Sequence, residues 1–177
     1  MSKPLIGVFA GSFDPFTIGH DDLVRRALGV VDELHILVGV NVGKQYDTTP
    51  EQRVEQITRL YASEPRITVT SCEGLTAHYA RRVGATVLVR GIRSVRDMET
   101  EREMAETHLS HFGLDTIFFF TRPELAAISS HLVRELTHFG EDTSRYLPTP
   151  PDRGEGAESD SSVFGTFETI DYDTYTH

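Results

Sequence analysis

The opening of the chain constrains it most. A short apolar run over residues 5–9 stops at Gly11, and a helical pattern through Leu23, Val24, Ala27 and Leu28 resumes only after Gly19 and His20. A strand that breaks at glycine and re-enters a helix presents backbone N–H groups at a helix start, which favours an anion. Gly11 is expected to let the chain pass close to a ligand, and Gly19 to admit a tight turn where a Cβ would intrude. His20 then falls in the first turn of the helix, facing whatever the loop holds. The spacing is neither a Walker loop nor a Gly-x-Gly-x-x-Gly fingerprint.

Beyond this unit, apolar strands alternate with amphipathic helices. Residues 33–40 read as a buried strand, followed by a polar loop over 41–48 that contains Lys44. Thr49-Pro50-Glu51-Gln52 reads as a helix start with a capping box. A strand is expected over 66–71, a helix over 75–83 closed by Gly84, and a short strand over 86–89 ending at Arg90, with Gly91 making the turn. A long charged helix over about 97–112 is closed by Gly113. Residues 115–120 form the last strand, whose three consecutive phenylalanines predict burial on both faces. A helix over 129–139 turns Leu132, Val133 and Leu136 inward. The alternation predicts one α/β domain over 1–147, a Rossmann-like parallel five-stranded sheet with helices on both faces. The loops after its strands should share one pocket beyond the strands' carboxyl ends.

Composition narrows the function. A net charge of −10 argues against non-specific nucleic-acid binding. Seven acids against one arginine lie in residues 148–177, so the rest of the chain is near −4. That tail begins with Pro148-Thr149-Pro150-Pro151 and is expected to be a flexible linker, with a docking segment over 163–175 as the rival reading. One cysteine, Cys72, no apolar run of membrane length and no secretory leader point to a reducing cytoplasm. The eight histidines lack metal-ligand spacing, which excludes a metal hydrolase.

Three further stretches carry chemistry. Arg90-Gly91-Ile92-Arg93 at a strand end places guanidinium forks where phosphate oxygens can meet them, the alternative being ion pairs to Glu99 or Glu101. Lys44 adds a cation in the second loop. Ile128-Ser129-Ser130 opens a helix, where hydroxyls and free N–H groups serve equally as caps and as an anion seat.

Gly11-Ser12-Phe13-Asp14-Pro15 with Gly19-His20 resembles the nucleotidyltransferase signature. Together with Lys44, Arg90-Gly91-Ile92-Arg93, Asp97-Met98-Glu99-Thr100-Glu101, Met104-Ala105 and Ile128-Ser129-Ser130, the chain is similar to the bacterial phosphopantetheine adenylyltransferases. That resemblance implies transfer of AMP from ATP to 4′-phosphopantetheine in coenzyme A synthesis. By it, His20, Lys44 and Arg93 are catalytic. Ser12, Phe13, His20, Arg93, Glu101, Ile128, Ser129 and Ser130 bind ATP, and Ser12, Lys44, Leu75, Thr76 and Arg90 bind the acceptor. Mg²⁺ travels on ATP without protein ligands, coenzyme A is a feedback ligand, and the assembly is a homohexamer. The chain departs from the family at His131, His108 and His78. These motivate a different phosphorylated acceptor as the rival, and the tail motivates a nucleotide-binding protein that it inhibits.

Overall fold

The structure, a computed structural model of the 177-residue chain, describes residues 3–40, 43 and 45–150. Lys44 and the tail from residue 151 onward therefore lie outside the described residues, as does the docking segment expected over 163–175.

Five strands form one parallel sheet: β1 (Ile6–Gly11), β2 (Glu33–Gly39), β3 (Ile67–Cys72), β4 (Val87–Ile92) and β5 (Asp115–Phe120). Their order is β3-β2-β1-β4-β5, so the chain reverses direction across the sheet between β1 and β4. Among the described residues five α-helices intervene or follow: α1 (Ile18–Ala27), α2 (Pro50–Leu60), α3 (Thr76–Val83), α4 (Val95–Phe112) and α5 (Ser130–His138). No helix of the described residues is long and apolar enough to cross a membrane.

Alternation along β1 assigns the two faces. Phe9 belongs to a cluster with Leu23, Val24 and Ala27 of α1 and Ile57 of α2. Val8, one residue earlier, belongs to another with Ala77, Tyr79 and Ala80 of α3 and Phe112 of α4. Period-two side chains thus build a core on each side of the sheet, as buried parallel strands require.

Thr49 caps α2 as its sequence predicts, accepting from the Gln52 N–H at 3.3 Å while Gln52 accepts from the Thr49 N–H at 2.9 Å. Gly84 and Gly113 close α3 and α4 in the left-handed conformation, with φ of 74° and 66°.

Three expectations are corrected. Gly91 makes no turn: β4 runs through it, and Arg90, Gly91 and Ile92 pair with Phe118, Phe119 and Phe120 of β5. Its need for glycine is steric, because a Cβ there would stand 2.5 Å from Leu23 Cδ1 of α1. Gly19 is likewise no turn residue. It lies inside α1, and a Cβ there would meet Thr17 Oγ1 at an ordinary 3.6 Å. The phenylalanines of β5 are not buried on both faces, since β5 is an edge strand and Phe120 is 63% exposed.

Candidate active site

Two adjoining cavities open where the strand order reverses. The larger, about 610 Å³, is lined by the loop after β1, the end of β4, the start of α4, Thr121 and the first turn of α5. The smaller, about 250 Å³, is lined by the start of α3, the inner face of α4 and the middle of β1 and β4. Ala10, Arg90 and Glu101 line both. The topology places the site here, because the loops of β1 and β4 diverge at the switch point and leave a crevice.

Ser12, Phe13, His20, Arg93, Glu101, Ile128, Ser129 and Ser130 all line the larger cavity. Leu75, Thr76 and Arg90 line the smaller, while Ser12 does not. His108 is also in the smaller cavity, whereas His78 is packed against Phe112 at 5.8 Å and is not part of its lining. His131 joins the wall of the larger one.

His20 is held by its own helix. The Thr17 backbone N–H donates to His20 Nδ1 at 3.0 Å, and the Thr17 hydroxyl lies 3.0 Å from the same nitrogen. A backbone N–H only donates, so Nδ1 is an acceptor and the ring proton sits on Nε2. Phe9, Phe13 and Phe16 surround the ring at centroid distances of 6.2, 5.2 and 5.3 Å. Burial among them, with Arg93 nearby, pushes the imidazole down to about 4. At neutral pH His20 is therefore a fixed, uncharged Nε2–H donor.

The arginines are paired as well as presented. Arg90 gives Nε and Nη2 to the two oxygens of Glu101 at 2.7 and 2.5 Å, and Nη1 to the Ala10 carbonyl at 2.9 Å. Arg93 pairs with Asp97 at 3.2 Å. Of the two ion pairs foreseen in the sequence, the one to Glu101 forms. The serines at the start of α5 divide their work. Ser129 Oγ caps the helix by accepting from the Leu132 N–H at 3.1 Å, and Ser130 Oγ donates to the Pro15 carbonyl at 2.8 Å, tying α5 to the loop after β1.

Several functional neighbours escaped the sequence reading. Arg134 lines the larger cavity and donates through Nη1 to the Asp14 carbonyl. It lies four residues after Ser130 on one helix face, and that spacing was the available signal. Asp14 is buried, and its carboxylate accepts from the Asp47 N–H at 2.8 Å and the Thr48 hydroxyl at 2.7 Å. Arg53 is 1% exposed, donates to the Ser12 and Thr49 carbonyls and lies 4.3 Å from the Tyr46 ring centroid. Neither residue reaches the cavities; both fix the loop that does.

A neutral donor, arginines and a helix start converging on a loop at the switch point of a parallel sheet define a nucleotidyltransferase site. The profile of the family described as cytidylyltransferase-like matches residues 8–136. The chain is 49% identical over 146 residues to the phosphopantetheine adenylyltransferase of Porphyromonas gingivalis, covering 82% of this chain and 95% of that one. Its counterpart in Phocaeicola vulgatus is 46% identical over 141 residues, covering 80% and 93%. The one in Treponema pallidum is 43% identical over 142 residues, covering 80% and 89%. Among solved structures, a bifunctional NMN adenylyltransferase/ADP ribose pyrophosphatase from Francisella tularensis shares the fold. Its TM-score is 0.62 at 16% identity, over 82% of this chain and 45% of that chain. The chain belongs to the phosphopantetheine adenylyltransferase family, within the cytidylyltransferase-like nucleotidyltransferases.

Proposed function

We propose that the chain transfers the adenylyl group of ATP to 4′-phosphopantetheine, giving dephospho-coenzyme A and pyrophosphate. The observation that carries this is the pair of cavities with a common wall of Ala10, Arg90 and Glu101. The polar one suits a nucleoside triphosphate, and the smaller, lined by Leu75, Ala77, Leu88, Met104, Ala105 and Phe112, suits the arm of the acceptor.

In this reading an oxygen of the acceptor phosphate attacks the α-phosphorus of ATP while the bond to the bridging oxygen breaks and pyrophosphate leaves. The acceptor phosphate is itself the nucleophile, so the protein supplies alignment and charge stabilisation. His20 donates its Nε2–H to an oxygen of the phosphorus under attack. Arg93 and the first turn of α5 hold the departing phosphates. Ser12 meets the phosphates at the loop's start, and Phe13 covers Gly11 beneath them. Leu75 and Thr76 contact the arm, and Arg90 meets the acceptor phosphate. Lys44, by the family resemblance, joins it there.

Mg²⁺ is proposed to arrive on ATP. The carboxylates lining the larger cavity, Asp97 and Glu101, are each paired with an arginine, which leaves the phosphate oxygens to carry the ion. Bound there it would neutralise charge on the leaving pyrophosphate.

A homo-oligomer, a hexamer by family resemblance, is supported by α4. That helix has no buried residue, and Val95, Met98 and Leu109 are 78%, 46% and 54% exposed. Feedback by coenzyme A follows from the arm it shares with the acceptor, and a cytoplasmic location from the pathway.

The test is pyrophosphate release from Mg-ATP with 4′-phosphopantetheine, on the full chain and on one ending at Leu147, with dephospho-coenzyme A identified by mass. Turnover by both establishes the reaction. Turnover by the short form alone makes the tail an inhibitor. Silence from both with ATP still bound favours another acceptor, a reading that His108 in the smaller cavity makes specific.

A further inference from the structure

We infer that Arg53 is a positioning residue for the phosphates of the nucleotide, an inference that rests on the adenylyl transfer proposed above. It holds the Ser12–Phe13 peptide with its N–H turned into the larger cavity, although its own side chain lines neither cavity. Arg53, on α2, is 1% exposed, and a guanidinium stays charged at any working pH. Among the described residues no carboxylate forms an ion pair with it, and its Nη2 has no hydrogen-bond partner. A buried cation without a counter-ion is a poor device for stability. Its bonds point to another use. Nη1 donates to the Ser12 carbonyl and Nε to the Thr49 carbonyl at 3.3 Å, while the Tyr46 ring covers the guanidinium at 4.3 Å.

The Ser12 carbonyl matters because of the residue that follows it. In a trans peptide the C=O and the next N–H point in opposite directions. With the carbonyl aimed at Arg53, outside the cavity, the Phe13 N–H is aimed away from Arg53, on the side where Ser12 and Phe13 line the wall. Among the described residues no backbone carbonyl accepts from that N–H. The carbonyls of Asp14 and Pro15 are instead taken by Arg134 and Ser130, which line the cavity themselves, so the Ser12 carbonyl is the one anchored from outside. Phe13 has φ of 49°, the only non-glycine among the described residues in the left-handed region. A flip of the Ser12–Phe13 peptide would return φ to the ordinary extended region and leave both Cα–Cβ directions nearly unchanged. The Phe13 ring, packed on Phe9 and Phe16 at centroid distances of 5.1 and 5.3 Å, therefore does not oppose the flip. The flip would set a carbonyl oxygen where a phosphate needs a donor. Arg53 supplies the bond that holds the strained, donor-inward state.

The experiment is calorimetric titration of inorganic pyrophosphate, and separately of Mg-ATP, into the native full chain, Arg53→Met and Arg53→Lys, beside urea unfolding of each. Arg53→Met is expected to weaken both ligands about tenfold and by similar factors, since the N–H meets phosphate and not the nucleoside. Arg53→Lys, which keeps the charge and one donor without the planar fork, should recover part of the loss. A merely structural role would lower the fraction of chains that titrate and leave the dissociation constants alone. Native constants in the folded fraction of Arg53→Met therefore overturn the inference. If Arg53→Met does not fold, Arg53→Lys decides: weakening of both ligands by about threefold upholds the inference, and native constants overturn it. A native chain that binds neither ATP nor pyrophosphate overturns the functional reading instead, and this inference with it.

Discussion

His20→Asn separates two roles that one ring performs. Asparagine places an acceptor oxygen where Nδ1 stands, so the Thr17 N–H keeps its partner and α1 its cap, while the Nε2–H is lost. The native imidazole titrates near 4, against about 6.5 in the unfolded chain. Below pH 6.5 the unfolded chain therefore binds a proton that the folded one refuses. Stability falls as pH drops through that window and is fully present above it. Between pH 7 and pH 5 the linkage amounts to about 2 kcal/mol, or about 1–2 kcal/mol once water on the cavity side of the ring is allowed for. For a body of this size that is roughly 2–8 °C of thermal midpoint. Thermal unfolding of both forms at closely spaced pH values reads it: the native midpoint should fall more steeply between pH 7 and 5, and the difference should vanish for His20→Asn. Turnover at pH 7 should drop by about 10²–10³-fold in the same variant. Parallel stability curves would refute the claim that the surrounding phenylalanines hold the ring neutral. Retained turnover would refute the donor.

Two further perturbations test the scaffold beneath the site. Gly91→Ala drives a Cβ to 2.5 Å from Leu23 Cδ1, so overpacking should cost about 1–3 kcal/mol and lower the thermal midpoint; Leu23→Ala added to it should recover part of the loss, and an unchanged midpoint would show that α1 has room to move. Arg53→Met keeps an apolar stem but leaves the Ser12 carbonyl without its donor, and should cost about 2 kcal/mol in urea unfolding at constant slope. A midpoint equal to or above the native one would mean that the cost of burying Arg53, whose Nη2 has no partner, outweighs its bonds.

The strands and helices were legible because their periodicities and caps are local. Thr49 with Gln52, Gly84 and Gly113 mark helix ends in three or four residues, and the structure moves their boundaries by only one or two positions. Three of the four loops expected to share the pocket do line the larger cavity, whereas the described residues of the loop over 41–48 line neither cavity. What escaped depends on partners far along the chain. Gly91 looks like a turn until Leu23 is seen against it, 68 residues earlier. Asp14 reads as part of a motif, yet its carboxylate holds Asp47 and Thr48. Arg53 occupies an ordinary helical position and is nevertheless among the most buried side chains. The phenylalanines of β5 announce hydrophobicity, but only sheet order reveals that their strand is an edge.

The reversal of strand order also dictates when the site comes into being. β1 pairs with β2 in the register Gly7↔Leu34, but its other edge waits for β4, at Gly7↔Val87. A nascent chain that has emerged only as far as β3 lacks β4 and α5, so one side of its central strand is open and the loop after β1 has yet to meet Ser130 and Arg134. The wall between the two substrates is closed by the most distant pairing of that strand, whose loop entropy is the largest β1 must overcome. Binding competence should therefore switch on late, once β4 has docked and α4 and the start of α5 have followed it, and β1's open edge is the surface a chaperone would have to shield until then.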